Sequence, residues 1–255
     1  MRLEDAKIVS RQQRAEGLYA ISLESPEVAH ETRPGQFLNI RIENAAVPLL
    51  RRPFSVSRIE GDTVEILFNI VGRGTGILAT KQAGDRLNIL GPLGVPFRIE
   101  GEYDLAVIVA GGLGVAPFPL LTSALQKQGK HVRSFLGCRT GAQVTQKHLL
   151  NVQVATDDGT SGFHGTVVQL LENYWKKENP GKAKIFGCGP TRMMKALSDF
   201  ARSRNIECEL SLEGDMACGI GICQGCPVER TSGEKKYSLV CVEGPTFNCN
   251  DVVLG

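Results

Sequence analysis

The rhythm of apolar and polar residues changes twice along these 255 residues. Up to about Phe97 the apolar positions come in runs of strand length. Leu18–Leu23, Gln36–Ile42 and Thr63–Phe68 are parted by the turn-forming Pro34-Gly35 and Glu60-Gly61-Asp62. Many short strands with few helices predict an antiparallel barrel or sandwich. After about Glu102 the pattern switches. Leu105–Ala110 is wholly apolar, as a strand covered on both faces should be, and Val132–Leu136, Val152–Ala155, Lys184–Phe186 and Ile206–Leu210 are further strand candidates. Among them, Val167, Leu170, Leu171 and Tyr174 share one helical face, as do Met193, Leu197, Phe200 and Ala201. Strands alternating with helices predict a doubly wound parallel sheet. From about Glu213 neither period continues, and large apolar residues are too few to build a core. Something other than packing is therefore expected to fix the tail. The expected division is a barrel over 1–100, an α/β unit over 101–211 and a small terminal module over 212–255.

Charge and composition narrow the field. Lys plus Arg at 29 against Asp plus Glu at 27 leaves a net +2, without the basic excess of a nucleic-acid binder. No apolar run approaches the roughly 18 residues of a membrane span. The start, Met-Arg-Leu-Glu-Asp-Ala, lacks the apolar stretch of an export signal, so a cytoplasmic protein is expected. In that reducing compartment 8 cysteines point to metal or catalysis before disulfides.

The cysteines are unevenly spread. Cys138, Cys188 and Cys208 stand alone, whereas Cys218, Cys223, Cys226, Cys241 and Cys249 crowd the end of the chain. Cys218-x4-Cys223-x2-Cys226, with Cys241 after 14 intervening residues, has the plant-type [2Fe–2S] spacing. Four thiolates suit a compact, negatively charged cluster, and Gly219, Gly221 and Gly225 let the backbone wrap and aim N–H groups at sulfur. Zinc is the competing reading, although structural zinc sites favour two closely spaced ligand pairs, and a disulfide knot ranks behind it. Cys249 reads as a spare thiol near the surface, and Cys208 as a small buried apolar residue on a strand.

Two further patterns carry nucleotide chemistry. Arg52-Pro53-Phe54-Ser55 lies on a barrel strand ahead of Gly72-x-Gly74-Thr75, which opens a short helical stretch, Ile77–Thr80. Glycines at a helix start admit a pyrophosphate to the backbone N–H groups. Arg52 suits its charge, Ser55 can donate to a flavin edge and Phe54 offers a ring face. In the second unit, Gly111-Gly112-Leu-Gly114-Val-Ala-Pro117 comes after an apolar strand and precedes the helix-compatible Phe118–Lys127. Gly187-Cys188-Gly189-Pro190 repeats that arrangement. Two such loops at one sheet's carboxyl edge predict a shared nucleotide crevice. His30, His131, His148 and His164 show no ligand spacing.

The ordered set Arg52–Ser55, Gly72–Thr75, Gly111–Pro117 and Cys188–Pro190 resembles the ferredoxin–NAD(P) reductase family over about residues 5–210. That resemblance implies an FAD-binding barrel before an NAD-binding domain. With Pro34–Phe37, Leu49–Pro53, Leu90–Gly94, Met216–Gly221 and Glu243–Phe247, nearly the whole chain is similar to the electron-transfer subunits of class 1B dihydroorotate dehydrogenase. The resemblance implies FAD contacts at Arg52, Pro53, Phe54, Ser55, Leu67, Phe68, Asn69, Gly74 and Thr75. It assigns the cluster to Cys218, Cys223, Cys226 and Cys241. Gly111, Gly112, Gly114, Pro117, Gly189 and Pro190 are the candidates for NAD, with Cys188 either near the nicotinamide or a packing residue at a strand end. The implied partner is an FMN-containing dihydroorotate-oxidising subunit, in a heterotetramer of two chains of each kind. Electrons would pass from it through the cluster and FAD to NAD+ in pyrimidine biosynthesis. NAD is expected over NADP, with Arg133 and Arg139 near a strand end as the groups able to receive a 2′-phosphate. Competing readings are the reductase subunit of a sulfide dehydrogenase, hydrogenase or bifurcating transhydrogenase and, from another class, a zinc-bearing scaffold without catalysis.

Overall fold

The structure is a computed structural model and describes residues 1–43 and 47–255. Six antiparallel strands close a barrel in the order β1-β2-β5-β4-β3-β6. They are β1 (Arg2–Ala15), β2 (Leu18–Glu24), β3 (Phe37–Arg41), β4 (Arg52–Glu60), β5 (Thr63–Asn69) and β6 (Arg86–Leu93). The helices α1 (Pro26–Glu31) and α2 (Arg73–Thr80) fill the longer connections. Period-two alternation builds the interior. On β3, Leu38 and Ile40 join Ile8, Ile21, Val56, Ile66 and Ile89 inside the barrel, whereas Phe37 packs with the core of the neighbouring sheet.

The second layer contains β7 (Leu105–Gly111), β8 (His131–Cys138), β9 (Val152–Thr156), β10 (Phe163–His164), β11 (Ala183–Cys188) and β12 (Glu207–Ser211), all parallel. Their helices are α3 (Phe118–Lys127), α4 (Val167–Glu178) and α5 (Thr191–Ser203). Central β7 is apolar throughout because both faces are covered. Ala106, Ile108 and Ala110 pack with Phe118, Leu121 and Leu125 of α3, whereas Val107 and Val109 pack with Leu171 of α4 and Leu197 and Phe200 of α5. The order β10-β9-β8-β7-β11-β12 reverses direction beside β7, which places the crevice at the carboxyl ends of β7 and β11.

The tail differs from the expectation of a coreless segment. After the hairpin β13 (Pro227–Glu229) and β14 (Tyr237–Leu239), the strand β15 (Thr246–Asn248) adds antiparallel to β12, pairing Leu210 with Phe247 and Ser211 with Thr246. Phe247, Val240 and Val252 are buried in the core that α4 and α5 also fill. Three residues are too short a run to show a period in sequence. Cys249 is likewise no surface thiol. It is 1% exposed, its N–H donates to the Cys208 carbonyl at 2.9 Å, and its thiol donates to the Asn250 Oδ1 at 3.9 Å.

Barrel and sheet are tied by a buried cation. Lys184 on β11, 1% exposed, donates to the Arg98 carbonyl at 2.6 Å and pairs with Glu209 at 3.0 Å and Glu207 at 2.6 Å. Glu209 in turn accepts the Arg98 N–H at 2.9 Å. One ion pair thus fixes the segment leaving the barrel.

Candidate functional site

Two clefts and a thiol loop meet where barrel, sheet and tail converge. The first cleft, ≈260 Å³, is bounded on the barrel side by Arg52–Ser55, Leu67–Asn69 and Thr75. Pro117 and Leu113 close it from the sheet, and Ser211–Gly214, Met216 and Pro245 from the tail. Arg52 is anchored by its Nη1, which donates to the Leu50 carbonyl at 2.6 Å. Its Nε lies 3.7 Å from where a Gly74 Cβ would stand, so the guanidinium faces the start of α2. Thr75 is committed locally. Its hydroxyl accepts the Val71 N–H at 2.9 Å and the Gly72 N–H at 3.2 Å, fixing the turn whose free N–H groups a phosphate can use. Phe54 turns its ring into the barrel core, edge-on to Phe68 at 6.0 Å.

Glu213 has no sequence signal of its own, yet it lines this cleft. Desolvation by the surrounding walls lifts its carboxyl above the usual carboxylate range. Behind it, burial pushes the Cys188 thiol far up, the Glu213 charge adds to that, and a hydrogen bond with the Ser211 hydroxyl opposes it. Cys188 is 2% exposed and lines neither cleft.

The second cleft, ≈620 Å³, lies over the carboxyl ends of the parallel strands, where Gly111, Gly112 and Pro190 border it. Gly114 and Gly189 serve differently. Gly114 sits against the Cys188 carbonyl, where any Cβ would collide with backbone, so it is needed for close approach of the two loops. Asp157, Arg139, Gln143 and Arg192 complete the polar wall. The Asp157 N–H donates to the Cys138 carbonyl at 3.1 Å, which holds the ends of β8 and β9 together. Arg133 is placed otherwise than expected. It lies inside β8, and its guanidinium stacks 4.7 Å from the Tyr174 ring centroid, away from the cleft.

In the terminal loop the backbone turns Cys223 back toward Cys218, and the Val240 N–H donates to the Cys226 carbonyl at 2.9 Å, which sets Cys226 beside the segment that carries Cys241. Among the described residues no three His, Cys, Asp or Glu side chains converge on a single-ion cage. A Cys-x4-Cys-x2-Cys run with a distant fourth cysteine suits a two-iron centre better than the two closely spaced ligand pairs of a structural zinc site. The N–H groups of Cys223 and Ile220 donate to the Cys218 sulfur at 3.3 and 3.5 Å. Burial opposes its ionisation, but these donors outweigh it and bring the thiol down to about 6. Burial pushes Cys241 up to about 12, with the Cys226 thiol adding to the rise. Cys223 and Ile222 face solvent, and Cys226 and Cys241 face the core. The donor set fits a [2Fe–2S] centre with one side open.

Comparison with known proteins agrees with this geometry. The model of the iron–sulfur cluster binding domain of dihydroorotate dehydrogenase B matches residues 213–253. The electron-transfer subunit of dihydroorotate dehydrogenase B (NAD(+)) from Geobacillus thermodenitrificans is 37% identical over 260 residues, covering 98% of each chain. That from Enterococcus faecalis is 38% identical, covering 97% of each. Among solved structures, an NADH-dependent reduced ferredoxin–NADP oxidoreductase superposes with a TM-score of 0.87 at 29% identity, over 98% of this chain and 90% of the other. Phthalate dioxygenase reductase shares the fold with a TM-score of 0.64 at 17% identity, over 94% of each chain.

Proposed function

Because this chain belongs to the electron-transfer subunits of dihydroorotate dehydrogenase B, we propose that it links a dihydroorotate-oxidising partner subunit to NAD+ through a cluster bound at Cys218, Cys223, Cys226 and Cys241 and FAD bound in the smaller cleft. FAD, when bound, exchanges electron pairs with nicotinamide and single electrons with a [2Fe–2S] cluster, and the protein contributes positioning and electrostatics.

The observation that carries this reading is the plant-type spacing of the four cysteines, with the Ile220 and Cys223 N–H groups aimed at the Cys218 sulfur, beside the cleft that Arg52, the α2 turn and Ser55 border. Arg52 and the free N–H groups at the start of α2 bind the flavin pyrophosphate. Pro53, Leu67, Phe68 and Asn69 form one wall against the ring, and Leu113 and Pro117 on the opposite side leave the nicotinamide an approach from the larger cleft. Gly111, Gly112 and Pro190 receive the NAD pyrophosphate at the topological reversal of the sheet. Cys188, buried behind Ser211 and Glu213, supports the back of this region by packing.

Electrons enter through the open side of the loop, where Ile222 is 78% exposed and Ile220 and Val242 also face solvent. That apolar rim is the surface for the FMN-containing catalytic subunit, in a complex of two chains of each kind. The units are residues 1–100 for flavin, 101–211 for nicotinamide and 212–255 for the cluster. No described helix is long and apolar enough to cross a membrane, and a site built from free thiols supports a cytoplasmic location.

The test is iron, labile-sulfide and flavin analysis of the purified chain with its visible spectrum, and then kinetics. The expected result is two irons, two sulfides and one FAD per chain, NADH oxidation with artificial acceptors, and dihydroorotate turnover only with the partner present. A colourless chain holding zinc alone, or dihydroorotate oxidation by the chain alone, overturns the reading.

A further inference from the structure

We propose that Asn39, a residue of the flavin barrel, is a positioning residue that sets the reduction potential of the cluster. The inference rests on the cluster assignment above. Asn39 stands on β3 in the run Phe37-Leu-Asn-Ile40, where Leu38 and Ile40 fill the barrel. It is 0% exposed. A buried amide in an apolar strand requires a hydrogen-bond partner, and the partner here lies 179 residues away. The Asn39 Nδ2 donates to the Cys218 carbonyl at 2.8 Å. Its Oδ1 finds no partner among the described residues. The side chain therefore leaves one buried polar atom unsatisfied while making one hydrogen bond, to the first predicted cluster ligand.

That contact governs the next residues of the loop. Gly219 turns the chain with φ +72°, and a Cβ there would stand 2.5 Å from the Asn39 Nδ2, so only glycine fits beneath the amide. Directly beyond this clamped peptide, the Ile220 and Cys223 N–H groups point back at the Cys218 sulfur at 3.5 and 3.3 Å. Hydrogen bonds to cluster sulfurs favour the more negative, reduced centre and raise its potential. Asn39 is itself braced. Arg51 Nη1 donates to its main-chain carbonyl at 3.2 Å and to the Asn88 carbonyl at 3.0 Å. By strand alternation, Asn39 projects on the same side of β3 as Phe37, which borders the flavin cleft. One strand face thus fixes both the flavin wall and the geometry of the cluster's donors.

The test uses the full chain. Asn39→Leu keeps the branched shape and removes the donor, and Asn39→Ala removes the donor without adding bulk. Both are assayed for FAD, iron and sulfide, then titrated potentiometrically with the EPR signal of the reduced cluster as the readout. Loss of one charge-assisted donor geometry is expected to weaken electron affinity about tenfold, a negative shift of about 59 mV, with altered g-values and normal FAD content. An assembled cluster of unchanged potential and signal in either variant overturns the proposal. Loss of the cluster from both variants with FAD retained assigns Asn39 a purely structural part and also overturns it. Failure of the underlying assignment is recognised separately, because the unaltered chain would then lack iron and sulfide.

Discussion

Phe247→Ala tests whether the terminal module is held by packing or by its metal centre. Phe247 is 6% exposed, pairs across β12 with Leu210 and lays its ring against Gly244. A ring of roughly 200 Å² buried almost completely, at about 25 cal/mol per Å², gives an upper bound of about 4–5 kcal/mol. Truncations of core Phe to Ala fall at about 3–5 kcal/mol. β15 is a three-residue edge strand and can partly collapse onto the vacated space, so we expect about 3 kcal/mol. The assay is urea unfolding of the chain with iron removed by chelation, monitored by the fluorescence of Trp175. That single tryptophan packs edge-on to Phe200 at 5.4 Å, beside the same core. The expected result is a lower midpoint with an unchanged slope. A loss below about 1 kcal/mol in the iron-free chain would mean that β15 adds little without the cluster, and the packing argument would fail.

Lys184→Met leaves Glu209 buried without its cation and is expected to destabilise by about 3–5 kcal/mol in thermal unfolding, whereas Lys184→Met with Glu209→Leu should be much milder. Equal losses in the two variants would show that the ion pair does not join the layers. Asp157→Ala removes the carboxylate that shares the larger cleft with Arg139, so the ratio of kcat/KM for NADPH to that for NADH should rise at least about tenfold, and an unchanged ratio would remove Asp157 from nucleotide recognition. Glu213 holds its proton more tightly folded than unfolded, so the stability linked to it is complete below the ordinary carboxylate pKa and is lost as pH rises through the raised value. Glu213→Gln should therefore flatten the fall of Tm of the FAD-free chain between acid and neutral pH, and a parallel profile would contradict this. Cys218→Ala should abolish the iron signal and retain FAD, as read from iron analysis and the flavin spectrum. Loss of both together would show that the flavin site needs the cluster to form.

How far the architecture could be read from sequence depended on the length of each signal. α4 and α5 span Val167–Glu178 and Thr191–Ser203, where the apolar spacing predicts helices, and β7 announces itself because both faces are covered. Metal-ligand spacing is equally local, and all four cysteines that it singles out fall within residues 213–253, which match the iron–sulfur cluster binding domain. β15 escaped because three residues show no period and its stability comes from β12, far away in sequence. Arg133 carried a charge that looked available near a strand end, but the pleat turned it onto Tyr174. Glu213 and Asn39 are single polar residues whose importance arises only from what the fold sets opposite them. Asn39 did carry one visible hint, an amide inside an apolar strand, but nothing in sequence pointed to Cys218 as its partner.

The same contacts show that the smaller cleft and the cysteine loop are not separate modules, although their residues come from opposite ends of the sequence. Ser211–Gly214, Met216 and Pro245 belong to the segments that flank the cysteine loop, yet they form one wall of the smaller cleft. That wall is fastened to the barrel's exit, where the Thr246 hydroxyl donates to the Val95 carbonyl at 2.9 Å and the Val95 N–H donates to the Gly244 carbonyl at 2.6 Å. β3 closes the circuit from the other side through Phe37 and Asn39. A short route for single electrons requires the two centres to be close and rigidly related, and a tail tethered only by its metal would meet neither condition. Pairing β15 to the sheet and the hydrogen bond from Asn39 on β3 to the Cys218 carbonyl fix the cysteine loop to the protein core at two points.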